Sequence, residues 1–385
     1  MTTHPNGPSS ARAEAVSQTT RWTTTDLNRI GLKQTCVAPV IRADQVAPVL
    51  PEIWVWDAWP VLRRDGGAVD PDLWMALASP RFANPDERHA HARIRLLERT
   101  GQGWRDFGPA MPDGFSPGSR EWSGSAVLDA DGRMLTLYFT AAGRRDEPET
   151  SFEQRLFEAR GTLRCADRRC WLDWSGLAES FGRDPVYYMD PQAGSGSVGT
   201  IKAFRDPSYF RDPASGRSFI FFTASLAGSS SAFNGTIGVA AAAGPGATHW
   251  RVLPPVISAE GLNNELERPH VIWREGRYYL FWSTQTHVFN PAGTVGPTGL
   301  YGMVSDNLMS GWEPLNGSGL VIANPPEAPR QAYSWYVLPD LSVTSFVDAW
   351  GVPPRERATM RFGGTFAPFL RLEVNGANTR LQSEN

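Results

Sequence analysis

Apolar runs that end in small or hydroxylated residues recur five times along the chain. The runs are LWMALAS (73–79), LYFTA (137–141), FFTAS (221–225), LFWST (280–284) and SVTSF (342–346). Their starts lie roughly 60 to 85 residues apart, a long period that is typical of propellers and other repeat folds. Most of the runs follow a hairpin turn, such as DADG, DPASG or REG. The pattern therefore predicts an all-β protein, a five-bladed β-propeller with one hairpin in each blade.

Composition agrees with many short strands joined by turns. The 385 residues include 15 Trp, 37 Gly and 31 Pro, with few long helical patterns. The formal net charge of −3 gives no sign of a nucleic-acid or membrane partner. Residues 1–21 contain no apolar run, so we expect a disordered lead-in without a signal peptide or a membrane span. Residues 22–385 then form a single propeller domain.

The three cysteines are too few for a disulfide framework. They are Cys36, Cys165 and Cys170. The odd count favours unlinked thiols at Cys165 and Cys170 in CADRRC, although a small bridge between them stays open.

Polar residues recur near the start of each hairpin. They are Asp57, Trp122 with Ser123, Arg205 with Asp206, Glu265 with Glu267, and Tyr333. If the first strand of each blade lines the central channel, these residues converge although they are distant in sequence. Such a polar stripe would cost free energy in a packed core, so we expect it to face a wet, functional cavity.

The tripeptide Arg-Asp-Pro occurs three times, and its position in the repeat separates the copies. Asp184 and Asp212 lie in loop or turn sequences, where Asp before Pro commonly starts a turn. Asp206 begins a predicted inner strand, at the same place in its blade as Asp57 and Glu267. We therefore assign a functional role to Asp206 alone.

Carboxylates around one channel with tryptophans beside them suit glycoside chemistry. A retaining glycosidase needs a nucleophilic carboxylate and an acid/base carboxyl about 5 Å apart. Asp57 lies between tryptophans in IWVWDAWP, which is unusual for a solvated surface residue. On an extended NELERPH, Glu265 and Glu267 share one face, opposite Leu266 and Arg268. Repulsion and partial desolvation would favour the protonated form of one of the two acids, as a general acid requires.

Other chemistries have weaker support. The HAH sequence at 89–91 has no third metal ligand nearby in the sequence, so we predict a solvated loop there. Ser123 lacks the Gly-x-Ser-x-Gly frame of a nucleophile and is expected to be a hydrogen-bond donor. We predict neither a metal nor a cofactor.

The motifs VWDAWP, EWSGSA, FRDPSYF, ELERPHVI, YYLFWS, GLYGMVSD and YSWYVLPD occur in one order up to GGTFAPFL. In this order they resemble glycoside hydrolase family 68, the levansucrases, inulosucrases and bacterial β-fructofuranosidases. The resemblance implies a single-domain five-bladed propeller with the active site in its central channel. It also implies that Asp57 is the nucleophile that forms a β-fructosyl-enzyme and that Glu267 protonates the leaving glucose. Asp206 would bind fructosyl hydroxyls and stabilise the oxocarbenium-like transition state.

The resemblance also implies a set of substrate-binding residues. They are Trp56, Trp122, Ser123, Arg205, Glu265, Arg268, Gln285 and Tyr333. Gln285 departs from the family pattern, because many relatives have Arg or His at this position on the acceptor side. We therefore expect free fructose and short fructo-oligosaccharides instead of long levan. Some relatives carry a structural calcium ion, but the sequence has no clear acidic cluster for one.

The expected partners are sucrose and the fructosyl acceptors water, sucrose and fructans. Two alternatives stay open at this point. One is an inverting, arabinanase-like propeller, whose acid and base lie about 6.5 to 9.5 Å apart. The other is a non-catalytic sugar-binding propeller, because fold alone does not define function. The family meets its substrate outside the cell or in the periplasm, but without a visible signal peptide a cytoplasmic enzyme also stays open. The sequence leaves the oligomeric state, the linkage type and the ratio of hydrolysis to transfer open.

Overall fold

The computed structural model describes residues 18–33, 36–193, 201–244, 249–351 and 361–382. Its strands are β1 (Thr20–Arg21), β2 (Ile53–Arg63), β3 (Leu73–Pro80), β4 (Arg93–Thr100), β5 (Gly103–Pro109), β6 (Arg120–Leu128), β7 (Met134–Ala142), β8 (Gln154–Ala166), β9 (Arg169–Phe181), β10 (Phe204–Arg211), β11 (Ser218–Ser225), β12 (Gly235–Ala242), β13 (Trp250–Ser258), β14 (Glu267–Arg274), β15 (Arg277–Thr284), β16 (Gly299–Ser305), β17 (Glu313–Pro314), β18 (Leu320–Ala323), β19 (Ala332–Val337), β20 (Ser342–Val347), β21 (Leu370–Asn375) and β22 (Asn378–Leu381). Helical structure is limited to α1 (Thr24–Leu27) and the 3-10 turns Ala43–Gln45, Pro85–His91, Pro191–Ala193, Thr286–Val288 and Leu315–Gly317 among the described residues. None of these helices has the length and apolar character needed to cross a bilayer.

The strands form five antiparallel units in chain order, and each unit opens with a predicted hairpin. Blade 1 is β2–β5, blade 2 is β6–β9, blade 3 is β10–β13, blade 4 is β14–β18 and blade 5 is β19–β22. Blades 1 and 2 share one sheet because β2 and β6 pair in parallel at residues 61–63 and 126–128. The predicted five-bladed β-propeller is confirmed.

The hydrophobic core lies between neighbouring blades. Tyr138 of blade 2 clusters with Phe222 of blade 3, and Phe221 on the other face of the same strand clusters with Leu280 of blade 4. The middle strands are thus covered on both faces, as in other sheets buried between layers. This burial explains why their sequences are continuous apolar runs and do not alternate with polar residues.

The described residues begin within the segment that was predicted to be a disordered lead-in. Residues 1–17 of the expected disordered lead-in lie outside the described residues. Thr20 and Arg21 pair with Ile257 and Ser258 at the outer edge of blade 3. The next residue, Trp22, is 1% exposed and its indole donates a hydrogen bond to the Ser318 carbonyl at 3.0 Å. The sequence did not predict this strand, because two residues are too few to show an alternation of apolar and polar positions.

Cys165 and Cys170 form a disulfide bond, so the prediction of unlinked thiols is wrong. The register of the β8–β9 hairpin places the two residues directly opposite each other, with their Cα atoms 4.2 Å apart. Residues opposite each other in an antiparallel pair are neighbours. The odd count arises from Cys36, which is buried and unlinked.

Candidate active site

The first strand of every blade is interrupted at the same place by a β-bulge. The register shifts lie between Trp56 and Trp59, Trp122 and Gly124, Arg205 and Ser208, Glu267 and His270, and Tyr333 and Tyr336. A bulge ends regular pairing and re-aims the side chains around it, and bulges are over-represented next to active sites. The polar residues predicted to line the channel lie at or beside these five bulges.

Four of the bulges contain a non-glycine residue in the left-handed region. The φ angles are 45° for Asp57, 60° for Asp206, 51° for Arg268 and 60° for Ser334. Such a conformation costs about 1–2 kcal/mol for an L-residue. Glu267 lies one residue before this position, so the prediction that it shares the place of Asp57 and Asp206 is wrong by one residue. The extra residue in each bulge is not visible as a break in the sequence pattern.

Asp57 in β2 receives its hydrogen bond from the neighbouring blade. The Ser123 hydroxyl of β6 donates to Asp57 Oδ2 at 2.7 Å. On the other side, Arg268 Nη1 lies 3.9 Å from Asp57 Oδ1. The Asp57 side chain is 19% exposed. This carboxylate is therefore held in place and still open to the channel.

Glu265 and Glu267 are joined by one guanidinium group. Arg205 Nη2 donates to Glu265 Oε2 at 3.0 Å and to Glu267 Oε1 at 2.8 Å. The Tyr333 hydroxyl donates to the second oxygen of Glu267. Burial raises the pKa of Glu265 to about 7, Arg205 opposes this effect, and repulsion from Glu267 adds to it. The predicted repulsion therefore acts on Glu265, where burial is the larger cause.

Asp206 is the most enclosed of the three carboxylates with a predicted catalytic role. It is 6% exposed, and its Oδ2 accepts hydrogen bonds from Thr223 Oγ1 at 3.0 Å and from the backbone N–H of Arg268 at 3.3 Å. Burial raises the pKa of Asp206 to about 6, although Arg205 opposes this shift. Charges on Glu267 and Asp57 raise the pKa further. Asp206 therefore changes its charge close to neutral pH.

The two arginines of the site have different surroundings. Arg268 donates to the Ala58 carbonyl at 2.6 Å and to the Ser334 hydroxyl at 2.7 Å, so it ties blade 4 to blades 1 and 5. The predicted placement of Arg268 opposite Glu265 and Glu267 is wrong, because the bulge turns it towards the channel axis and Asp57. Arg205 Nη1 is buried and has no hydrogen-bond partner among the described residues.

A segment that was predicted to be a solvated loop lies beside the predicted aromatic residues. Residues Pro85–His91 form a 3-10 turn between β3 and β4. The His89 side chain is exposed, its ring centroid is 6.2 Å from that of Trp56, and the Trp122 indole donates to the His89 carbonyl at 3.4 Å. Arg88 packs over Phe362 at 4.1 Å. No sequence pattern indicates this segment, because its contacts with Trp122 and Phe362 come from outside blade 1 and are distant in the sequence.

The remaining predicted residues differ in their exposure. Trp56 is buried, Tyr333 is 6% exposed and Trp122 is half-buried. Gln285 is half-buried and lies two residues after Ser283, the cross-strand partner of Glu267. No group of three or more His, Cys, Asp or Glu side chains in the described ranges could hold a metal ion.

The fold and the site define a class of protein. Carboxylates from blades 1, 3 and 4 form one network of ion pairs and hydrogen bonds at the propeller axis, through Arg205 and Arg268. One carboxylate is open to the channel and another is paired with an arginine and a tyrosine. A glycoside hydrolase needs two carboxylates with different surroundings, one for each role in the reaction.

Comparison with known proteins identifies the family. A sequence model of the family described as levansucrase/invertase matches residues 12–236 and 229–384. A levansucrase from Rahnella aquatilis is 33% identical, over 93% of this chain and 92% of its own length. The structure of an inulosucrase from Halalkalicoccus jeotgali bound to kestose is 36% identical with a TM-score of 0.86, over 94% of this chain and 95% of the other. The structure of a levansucrase from Gluconacetobacter diazotrophicus is 25% identical with a TM-score of 0.83, over 95% of this chain and 90% of the other. The chain belongs to glycoside hydrolase family 68, as the resemblance of its motifs indicated.

Proposed function

We propose that this protein cleaves sucrose by a retaining double displacement and transfers the fructosyl group to water or to a sugar. Membership of the levansucrase/invertase family supports the reaction class. The proposal rests on the different surroundings of two carboxylates, those of Asp57 and Glu267. Asp57 is open and accepts a hydrogen bond from Ser123, whereas Glu267 lies between Arg205 and Tyr333.

In the first step, the Asp57 carboxylate attacks the anomeric carbon of the fructosyl unit. The glycosidic C–O bond breaks, and Glu267 gives its proton to the departing glucosyl oxygen. The products of this step are glucose and a fructosyl ester on Asp57. In the second step, the Glu267 carboxylate takes a proton from water or an acceptor hydroxyl, whose oxygen attacks the same carbon and releases Asp57.

Asp206 stabilises the positive charge that develops in the transition state of each step. The anomeric carbon becomes positive in the oxocarbenium-like transition state, and a fixed carboxylate in a site of low dielectric stabilises that charge. Arg205 contributes to this stabilisation indirectly, because its guanidinium holds Glu265, Glu267 and Asp206 in place.

The acceptor side contains Gln285, which is neutral and offers both a donor and an acceptor. An arginine there would offer only donors and a fixed charge. We expect Gln285 to hold a growing fructan weakly, so that the products are mainly free fructose and short fructo-oligosaccharides.

A single incubation tests the proposal. The protein is mixed with sucrose and methanol, glucose is assayed, and the first methyl fructoside is examined by NMR. We expect glucose release and a β-configured methyl fructofuranoside, because two inversions restore the starting configuration. An α-configured product would point to an inverting enzyme, and absence of glucose would point to a sugar-binding propeller. Either result would overturn the proposal.

A further inference from the structure

Lys202 is a buried cation that none of the steps above uses. It is one of two lysines in the chain, it is 7% exposed, and it lies three residues before Arg205. Its ammonium donates to the Ala232 carbonyl at 2.6 Å, to Asn234 Oδ1 at 2.8 Å and to Asn264 Oδ1 at 2.8 Å. An ammonium group has three donors, and all three are used here.

The three acceptors come from separate segments of the propeller. Ala232 and Asn234 lie in the connection between β11 and β12, and Asn264 precedes β14. Both asparagines are fully buried. All three acceptor oxygens are neutral, so they satisfy the donors of the ammonium group without compensating its positive charge. A buried charge is costly unless it is hydrogen-bonded and compensated.

Compensation comes from Glu265 of the active site. Burial lowers the pKa of Lys202, and the charge of Glu265 opposes that shift. The Asn264 side chain connects the two groups. Its oxygen accepts from Lys202, and its nitrogen donates to the Ile201 carbonyl at 3.0 Å and to Glu265 Oε1 at 3.3 Å. The ammonium thus selects the orientation of the carboxamide that presents a donor to Glu265.

We infer that Lys202 is a positioning residue that holds Glu265 in place through Asn264, and holds Glu267 through the Arg205 that both acids share. The inference rests on the proposed sucrose cleavage, for which Glu267 is the acid. Besides Lys202, the charged and titratable groups that face Glu265 are Arg205 from β10, Glu267 from β14 and Tyr333 from β19. Lys202 and Arg205 are the two cations in this set, so loss of Lys202 favours the protonated form of Glu265.

Substitution of the two lysines provides a matched test. Lys202→Met keeps most of the length of the side chain and removes its charge. Lys33→Met makes the same change at an exposed lysine. We expect Lys202→Met to lower kcat for glucose release by about tenfold or more, as for a lost charge-assisted contact. The acidic limb of its pH–rate profile should move to higher pH. Lys33→Met should match the wild type. A folded Lys202→Met protein with the wild-type kcat and pH profile would overturn the inference.

Asn264→Asp separates positioning from stability and does not depend on whether Lys202→Met folds. The new carboxylate still accepts from Lys202, but it presents an oxygen in place of the donor to Glu265. The same change replaces the donor to the Ile201 carbonyl by an oxygen, so we expect a lower Tm. The effect on Glu265 is read separately, as a lower kcat with an acidic limb at higher pH. Wild-type kinetics in Asn264→Asp would show that Lys202 only stabilises the fold. If the wild type and Lys33→Met release no glucose from sucrose, the proposed function fails instead.

Discussion

Replacement of Asp206 by Asn removes one charge from the site and changes little else. Asn has nearly the shape of Asp and tolerates the φ of 60° at this position, where Ala would add strain. The two donors to Oδ2, Thr223 Oγ1 and the Arg268 N–H, can bond to the amide oxygen of Asn as well. We therefore expect the variant to fold, and its kinetics to report the loss of the carboxylate charge.

The contacts of Asp206 set the size of the effect. Oδ2 is occupied, whereas Oδ1 accepts no hydrogen bond from the described residues and can accept two from sugar hydroxyls. A hydrogen bond to a charged group contributes about 1.5–3 kcal/mol, so two contribute about 3–6 kcal/mol. At about 1.4 kcal/mol for each factor of ten, kcat should fall roughly 100- to 10,000-fold. KM should change much less, because the loss falls mainly on the transition state.

The pH dependence gives a second, independent measure. Burial raises the pKa of Asp206 to about 6, so the carboxylate is charged above this pH and becomes neutral as the pH falls through it. Wild-type kcat should therefore decline below about pH 6, at the pKa raised by burial. Asp206→Asn is neutral at every pH, so the part of the decline near pH 6 should disappear, whereas the part that protonation of Glu265 causes near pH 7 should stay. The assay is glucose release at saturating sucrose across the acidic and neutral range.

Asp212→Asn is the matched control, because Asp212 is also buried but lies in the β10–β11 turn. It accepts hydrogen bonds from the Tyr278 hydroxyl at 2.7 Å and from the Ala214 N–H at 3.0 Å. Loss of the Asp212 carboxylate should lower the free energy of unfolding by about 1–3 kcal/mol and leave kcat within a few-fold of the wild type. The role of Asp206 is refuted if kcat of Asp206→Asn stays within tenfold of the wild type. It is also refuted if Asp212→Asn lowers kcat as much as Asp206→Asn does.

Three further substitutions test the other assignments. Asp57→Asn should abolish glucose release without lowering Tm, because no fructosyl ester can form; activity within tenfold of the wild type would contradict this. Glu267→Gln should lower kcat about 100- to 10,000-fold, and least for substrates whose leaving group needs little protonation; an equal loss with every leaving group would reject Glu267 as the acid. Gln285→Arg should raise the ratio of transferred to free fructose, measured by chromatography, with glucose release within about tenfold. An unaltered ratio would show that Gln285 does not control the acceptor.

The sequence by itself determined the blades and most of the residues assigned to the site. Strand runs and hairpin turns depend on neighbours within a few residues, so five repeated hairpins could be recognised from pattern alone. The same repeat brought the hairpin starts together at one axis. Asp57 and Asp206 could therefore be separated from Asp184 and Asp212 without a structure.

Only the tertiary structure decided the partners, the burial and the charge state of these residues. Ser123 donates to Asp57 across 66 positions, and Arg205 reaches Glu265 across 60. Such pairings depend on how the blades pack, and a single bulge residue changes which side chain faces the axis, as it does for Arg268. Lys202 and the 85–91 segment lie outside the repeated motif. Their contacts come from residues distant in the sequence, and no local pattern records a contact of that kind.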